Sequence, residues 1–194
     1  CRVADDAFAY PPYGDRMPNY RRARVAGGCW FFTVNLHDRR RRLLIDHIEL
    51  LRQAIRTTRE ARPFHIDAMV VLPDHLHAVW TLPERDADFS SRWRAIKKHF
   101  TKALPFTEPL DPVRQARRER GVWQRRFWEH LIRDDEDYAR HIDYCNINPV
   151  KHGLVTRVQD WPYSSFHRDV RAGIYPIDWA GDRVETGTFG EREP

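Results

Sequence analysis

The stretch "VVLPDHLHAVW" (residues 70–80) decides the fold. Val70 and Val71 close a β-branched run, "FHIDAMVVL" (64–72). Pro73-Asp74 turns the chain, and "HLHAVWTL" (75–82) returns beside it as an antiparallel partner. Side chains alternate across a strand, so His75 and His77 project to one face, about 6–7 Å apart, and Leu76 projects to the other. Two imidazoles on one face are either polar residues on an open sheet surface or paired ligands for one cation.

Other elements follow outwards from this hairpin. "CWFFTVNLH" (29–37) is aromatic and β-branched, a strand after the Gly27-Gly28 turn. "LLIDHIELLRQAIRTTREAR" (43–62) sets Leu44, Ile48, Leu51 and Ile55 at helical spacing. "DFSSRWRAIKKHFTKAL" (88–104) reads as a second helix capped by Ser90 or Ser91. Residues 105–122 hold Pro105, Pro109, Pro112 and Gly121 and read as a loop, and 122–133 reads as a strand. "DDEDYARHIDYCNIN" (134–148) reads as a third helix, with acids in the first turn where the helix dipole favours them and an end before Pro149. Helices interleaved with a hairpin predict an α+β fold, a ferredoxin-like antiparallel sheet flanked by helices. The expected organisation is a flexible extension over 1–19, one domain over 20–170 and a tail over 171–194.

Composition agrees with a globular protein: 41% hydrophobic and 31% charged residues, with apolar stretches too short and too broken by charge to span a bilayer. The N-terminus lacks a secretory apolar core, and Met17 is a candidate start. Cys1, Cys29 and Cys145 form no CxxC pair, which fits a reducing cytoplasm. A net charge of +5 and a pI near 9.3 favour a polyanionic partner.

In the third helix, Tyr138, Ile142 and Cys145 form a narrow apolar stripe, so Tyr138 reads as core. Tyr144 falls off that stripe and shares a flank with His141 and Asn148. It is either a half-buried aromatic with a surface hydrogen bond or a reactive phenol. Asn148 is either a helix-end residue or the donor of a carbonyl oxygen to a metal on that flank.

"GGCWFFTVNL", "VVLPDHLHAVWTLPE", "FSSRWRAIKKHFT", "FWEHLIRDDEDYARHIDYCNINPVKHGLV", "DWPYSSFHRDV" and "YPIDWAGD" together resemble the REP-associated tyrosine transposases, relatives of single-strand insertion-sequence transposases within the HUH endonucleases. The resemblance runs from about Tyr20 to Asp182. It implies that His75 and His77 hold a divalent metal, Mg2+ or Mn2+, that Asn148 supplies a third ligand, and that Tyr144 is the nucleophile. It implies a substrate of single-stranded DNA carrying a palindromic hairpin, a 5′-phosphotyrosine intermediate, a monomer, and a place with the chromosome in the bacterial cytoplasm.

Cationic side chains hold phosphates and aromatic faces stack unpaired bases. Candidate DNA contacts are Arg39, Arg40, Arg41 and Arg42; Arg92, Trp93, Lys97 and Lys98; Arg125, Arg126 and Lys151. Arg114, Arg117, Arg118 and Arg120 extend the second cluster. Trp30, Trp80, Trp123, Trp128, Trp161 and Trp179 read as core. The competing functions are a non-catalytic binder of DNA hairpins and a metal-dependent hydrolase that uses water and leaves Tyr144 idle.

Overall fold

The computed structural model describes residues 23–105 and 120–181. Arg114, Arg117 and Arg118, the 1–19 segment and the end of the tail lie outside the described residues. Four strands, β1 (Cys29–Asn35), β2 (His65–Val71), β3 (His75–Thr81) and β4 (Trp128–Leu131), form one antiparallel sheet in the order β2-β3-β1-β4. The central strands β1 and β3 are almost wholly buried. That explains their near-continuous apolar character, since both faces of the sheet are covered.

Two helices, α2 (Ile48–Ala61) and α3 (Phe89–Ala103), cover one face. Trp80 stacks on Trp93 at 4.1 Å, and Phe32 and Phe89 close the aromatic core there. The 43–62 segment is not one helix. A short α1 (Leu43–Asp46) ends where His47 leaves helical geometry, and the Leu44 N–H is held by the Pro73 carbonyl at the hairpin turn. The cap of α3 is Asp88, whose carboxylate accepts from the Ser91 N–H, rather than either serine. The fourth strand covers only part of 122–133, and Trp123 makes an isolated bridge with Leu36.

The opposite face is covered by α4 (Asp135–Lys151), which runs through Pro149 rather than stopping before it. Proline is tolerated so close to a helix end because the turn closes by other bonds. The Leu154 N–H reaches the Pro149 carbonyl and the Gly153 N–H reaches Val150, while Gly153 takes φ +65°, a left-handed cap that glycine adopts without strain. The extension places Lys151 two turns beyond Tyr144.

The edge of β2 is closed by residues 161–165. The Val71 N–H donates to Tyr163, Ser165 donates to Met69, and the Trp161 indole donates to Val71. A last helix, α5 (Phe166–Arg171), follows. Beyond it Tyr175 and Trp179 pack on Phe166, so residues up to 181 fold back onto the domain.

Candidate active site

Register brings the site together. Thr33 of β1 lies opposite His77 of β3, and Asn35 opposite His75. Both imidazoles are buried beneath α4 rather than standing on an open sheet face. Their ring centroids are 5.0 Å apart. His75 Nδ1 lies 2.7 Å from Asp74 Oδ1, and Arg39 Nε donates to Asp74 Oδ2 at 2.6 Å. Burial alone would raise the Asp74 carboxyl. The hydrogen bond and charge of His75, with those of Arg39, outweigh it and hold the group at about 2. His77 Nδ1 lies 2.9 Å from Thr33 Oγ1. With each Nδ1 engaged by an oxygen, Nε2 is the nitrogen that each ring would present to a cation.

Tyr144 hangs from α4 over this pair. Its ring centroid is 5.2 Å from that of His77, edge to face, and 6.0 Å from Phe31. Lys151 Nζ donates to the phenol oxygen at 2.9 Å and lies 4.7 Å from the ring centroid. The expected tyrosine environments are corrected here. Tyr144 is only 1% exposed, whereas Tyr138 is half-buried with its hydroxyl on Asp67. The expected Ile142 and Cys145 are buried, but the polar row His141, Tyr144 and Asn148 is buried beside them, so part of the covered side of α4 reads in sequence as a polar flank.

Asn148 is fully buried one turn beyond Tyr144. Two imidazole nitrogens and an amide oxygen fit Mn2+, and fit Mg2+ when water and phosphate oxygens complete its shell. The His152 ring, which sequence reasoning passed over, lies 5.0 Å from His75. Thr33 was equally hidden, because only strand register links it to His77; Asp74 sat in plain view beside His75.

A second group could hold a metal ion: His130, Asp137 and His141. His130 Nε2 donates to Asp137 Oδ2 at 2.7 Å, and His141 Nδ1 lies 2.7 Å from the Asp137 carbonyl oxygen. Burial would raise the Asp137 carboxyl, but His130, His141 and the Arg133 N–H override it and hold it well below the usual range. Phe31 separates this group from His77, its ring lying 4.7 Å from His141 and 5.5 Å from His77.

The expected cationic surface divides. Arg40, Arg42, Lys98, Arg125, Arg126 and Lys151 are exposed, and Arg41 and Lys97 are half-buried. Arg39 is committed to Asp74. Arg92 and Trp93 are corrections. Arg92 is 2% exposed, paired with Asp86 and bonded to the carbonyls of Arg62, Pro63 and Asp88. Trp93 is fully buried. Both residues fasten α3 to the domain and offer nothing to a nucleic acid. Arg120 binds the carbonyls of Thr101, Leu104 and Pro105 at the end of α3. No helix among the described residues is long and apolar enough to cross a membrane.

No family model matches the chain. It is 54% identical over 176 residues to the REP-associated tyrosine transposase of Escherichia coli (strain K12), covering 91% of this chain and 98% of that protein. It is 52% identical over 167 residues to a Haemophilus influenzae relative assigned to the same family, covering 86% of this chain and 95% of that one. A solved structure of a REP-associated tyrosine transposase bound to a REP hairpin superposes with a TM-score of 0.79 at 53% identity, covering 92% of this chain and 99% of that one. With both sequence and fold shared along nearly its whole length, the chain belongs to the REP-associated tyrosine transposases.

Proposed function

We propose that this protein cleaves and rejoins single-stranded DNA beside palindromic hairpins, through a covalent 5′-phosphotyrosine link on Tyr144. The observation that carries the reading is the meeting of His75, His77 and a lysine-bonded Tyr144 in one buried cluster. The relative solved with a REP hairpin supports the substrate class.

The reaction is a transesterification. The Tyr144 oxygen attacks a backbone phosphorus and loses its proton. The bond from phosphorus to the 3′ oxygen breaks, and that oxygen takes up a proton to leave as a 3′ hydroxyl. The Lys151 ammonium stabilises the negative charge that develops on the phenol oxygen. Asp74 and Thr33 hold the two imidazoles in one orientation, and the packed Phe31 ring limits how far Tyr144 can swing. Bound at His75, His77 and Asn148, a divalent ion would neutralise a phosphate oxygen and polarise phosphorus. Arg40, Arg41, Arg42, Lys97, Lys98, Arg125 and Arg126 would carry the strand by its phosphates. The phosphotyrosine keeps the energy of the cleaved bond, so rejoining needs no nucleotide.

A labelled hairpin oligonucleotide with Mn2+ should give a protein–DNA adduct that survives denaturation. Tyr144→Phe should lose the adduct and keep binding. Cleavage without an adduct would instead favour a water-using hydrolase, and binding with neither would favour a hairpin receptor.

A further inference from the structure

Trp128 stands apart from the other tryptophans. It is 38% exposed, while Trp30, Trp80, Trp93 and Trp161 are buried. Among the described residues no other tryptophan, tyrosine or phenylalanine is exposed to this degree. It sits on β4, which pairs only with β1 among the described strands. Its strand partner is Thr33, the residue bonded to His77, so the indole lies on the active-site face of the sheet. Arg125 and Arg126, both exposed, precede it in the chain.

The ring is fixed from behind. It meets Phe31 edge to face at 5.7 Å and lies within 4° of parallel to His130. His130 stacks on His141 at 4.7 Å and is bonded to Asp137, which is itself buried. Burying a carboxylate between two imidazoles costs desolvation. Here that network holds a row of aromatic rings whose outermost member is left in solvent. A pre-oriented indole loses little conformational freedom when a flat ligand settles on it.

We propose that Trp128 is a stacking platform for an unpaired nucleobase of the strand being cleaved, with His130 as its positioning residue. The platform rests on the DNA-cleavage reading above and adds a base-recognising step to it. Arg125 and Arg126 supply neighbouring phosphate contacts, and the base settles on the exposed indole face. Stacking of this kind reads a π-face rather than a sequence.

The test uses the full chain with two probes of equal length: single-stranded oligothymidylate and a strand of abasic deoxyribose phosphates. Wild type should bind the thymidylate more tightly than the abasic strand. Trp128→Ala should weaken thymidylate binding about ten-fold and leave abasic binding unchanged. Trp128→Phe should recover most of the loss. Equal weakening on both probes, or none on either, overturns the platform. Unchanged thermal melting of Trp128→Ala guards against misfolding. Adduct formation on the hairpin substrate, assayed with the same wild-type protein, separates the two claims. Base-dependent binding without an adduct removes the cleavage reading alone. An adduct together with a Trp128-independent base preference removes the platform alone.

Discussion

Lys151 reaches back two turns along α4 to donate to the phenol oxygen of Tyr144 at 2.9 Å. The contact exists because the helix continues through Pro149 to Lys151. A single ammonium favours a negative oxygen beside it. Lys151→Met should therefore lower the rate of adduct formation about 100-fold near neutral pH. Single-turnover rates on a saturating hairpin oligonucleotide check this, set beside the Kd for the same strand. An unchanged rate with weakened binding would mean that Lys151 acts on DNA binding instead.

Thr33 touches His77 and not the reacting atoms. Thr33→Val keeps its shape and removes the oxygen at 2.9 Å from Nδ1. Losing such an outer partner should raise the Mn2+ concentration needed for half-maximal adduct formation by about 10- to 100-fold. The maximal rate at saturating Mn2+ should change little. A titration of adduct yield against Mn2+ distinguishes the two quantities.

Arg92 should behave as a structural residue. Arg92→Ala removes the ion pair of Asp86 and the guanidinium donor to the Arg62 and Pro63 carbonyls. The expected loss is about 3 kcal/mol of unfolding free energy, measured by urea denaturation. Affinity for DNA, measured where the variant is folded, should stay within about two-fold, since phosphate contacts come from exposed cations.

These assignments mark where the sequence was legible. Strand alternation placed His75 and His77 together, and the spacing of turns and apolar runs gave the sheet with its flanking helices. What composition could not give was the third dimension of polar residues. Arg92 and Trp93 sit among basic residues in "SRWRAIKK", yet tertiary packing turns both inward. The face of α4 against the sheet carries His141, Tyr144 and Asn148, because the site itself occupies that interface. A periodicity argument takes such a row for solvent and assigns the core to Tyr138, Ile142 and Cys145, of which Ile142 and Cys145 are buried and Tyr138 is half-buried against the core. The helix runs past its expected end for a local reason: Pro149 falls in the last turn, where few backbone bonds remain to be broken.

Asp137 ties β4 to the first turn of α4. Its carboxyl is held well below the ordinary value by His130 and His141, despite burial acting the other way. A carboxyl depressed in the folded state contributes stability that is complete above its unfolded value, about 3.9, and is lost as pH falls below that value toward the folded one. Asp137→Asn should cost about 3 kcal/mol near pH 7. It should also flatten the decline of stability below about pH 4 relative to wild type. Urea midpoints over an acid series measure both effects. An unchanged slope would show that Asp137 does not couple folding to pH.

The central claim is that the phenol oxygen of Tyr144 becomes joined to DNA beside the His75–His77 pair. Its most direct measurement is mass spectrometry of the adduct formed on a hairpin oligonucleotide with Mn2+, after nuclease trimming and proteolysis. The account predicts a nucleotide phosphate on the peptide holding Tyr144, localised to that tyrosine. A phosphate on Tyr138 or on another residue, or a cleaved strand with no modified peptide, would contradict it.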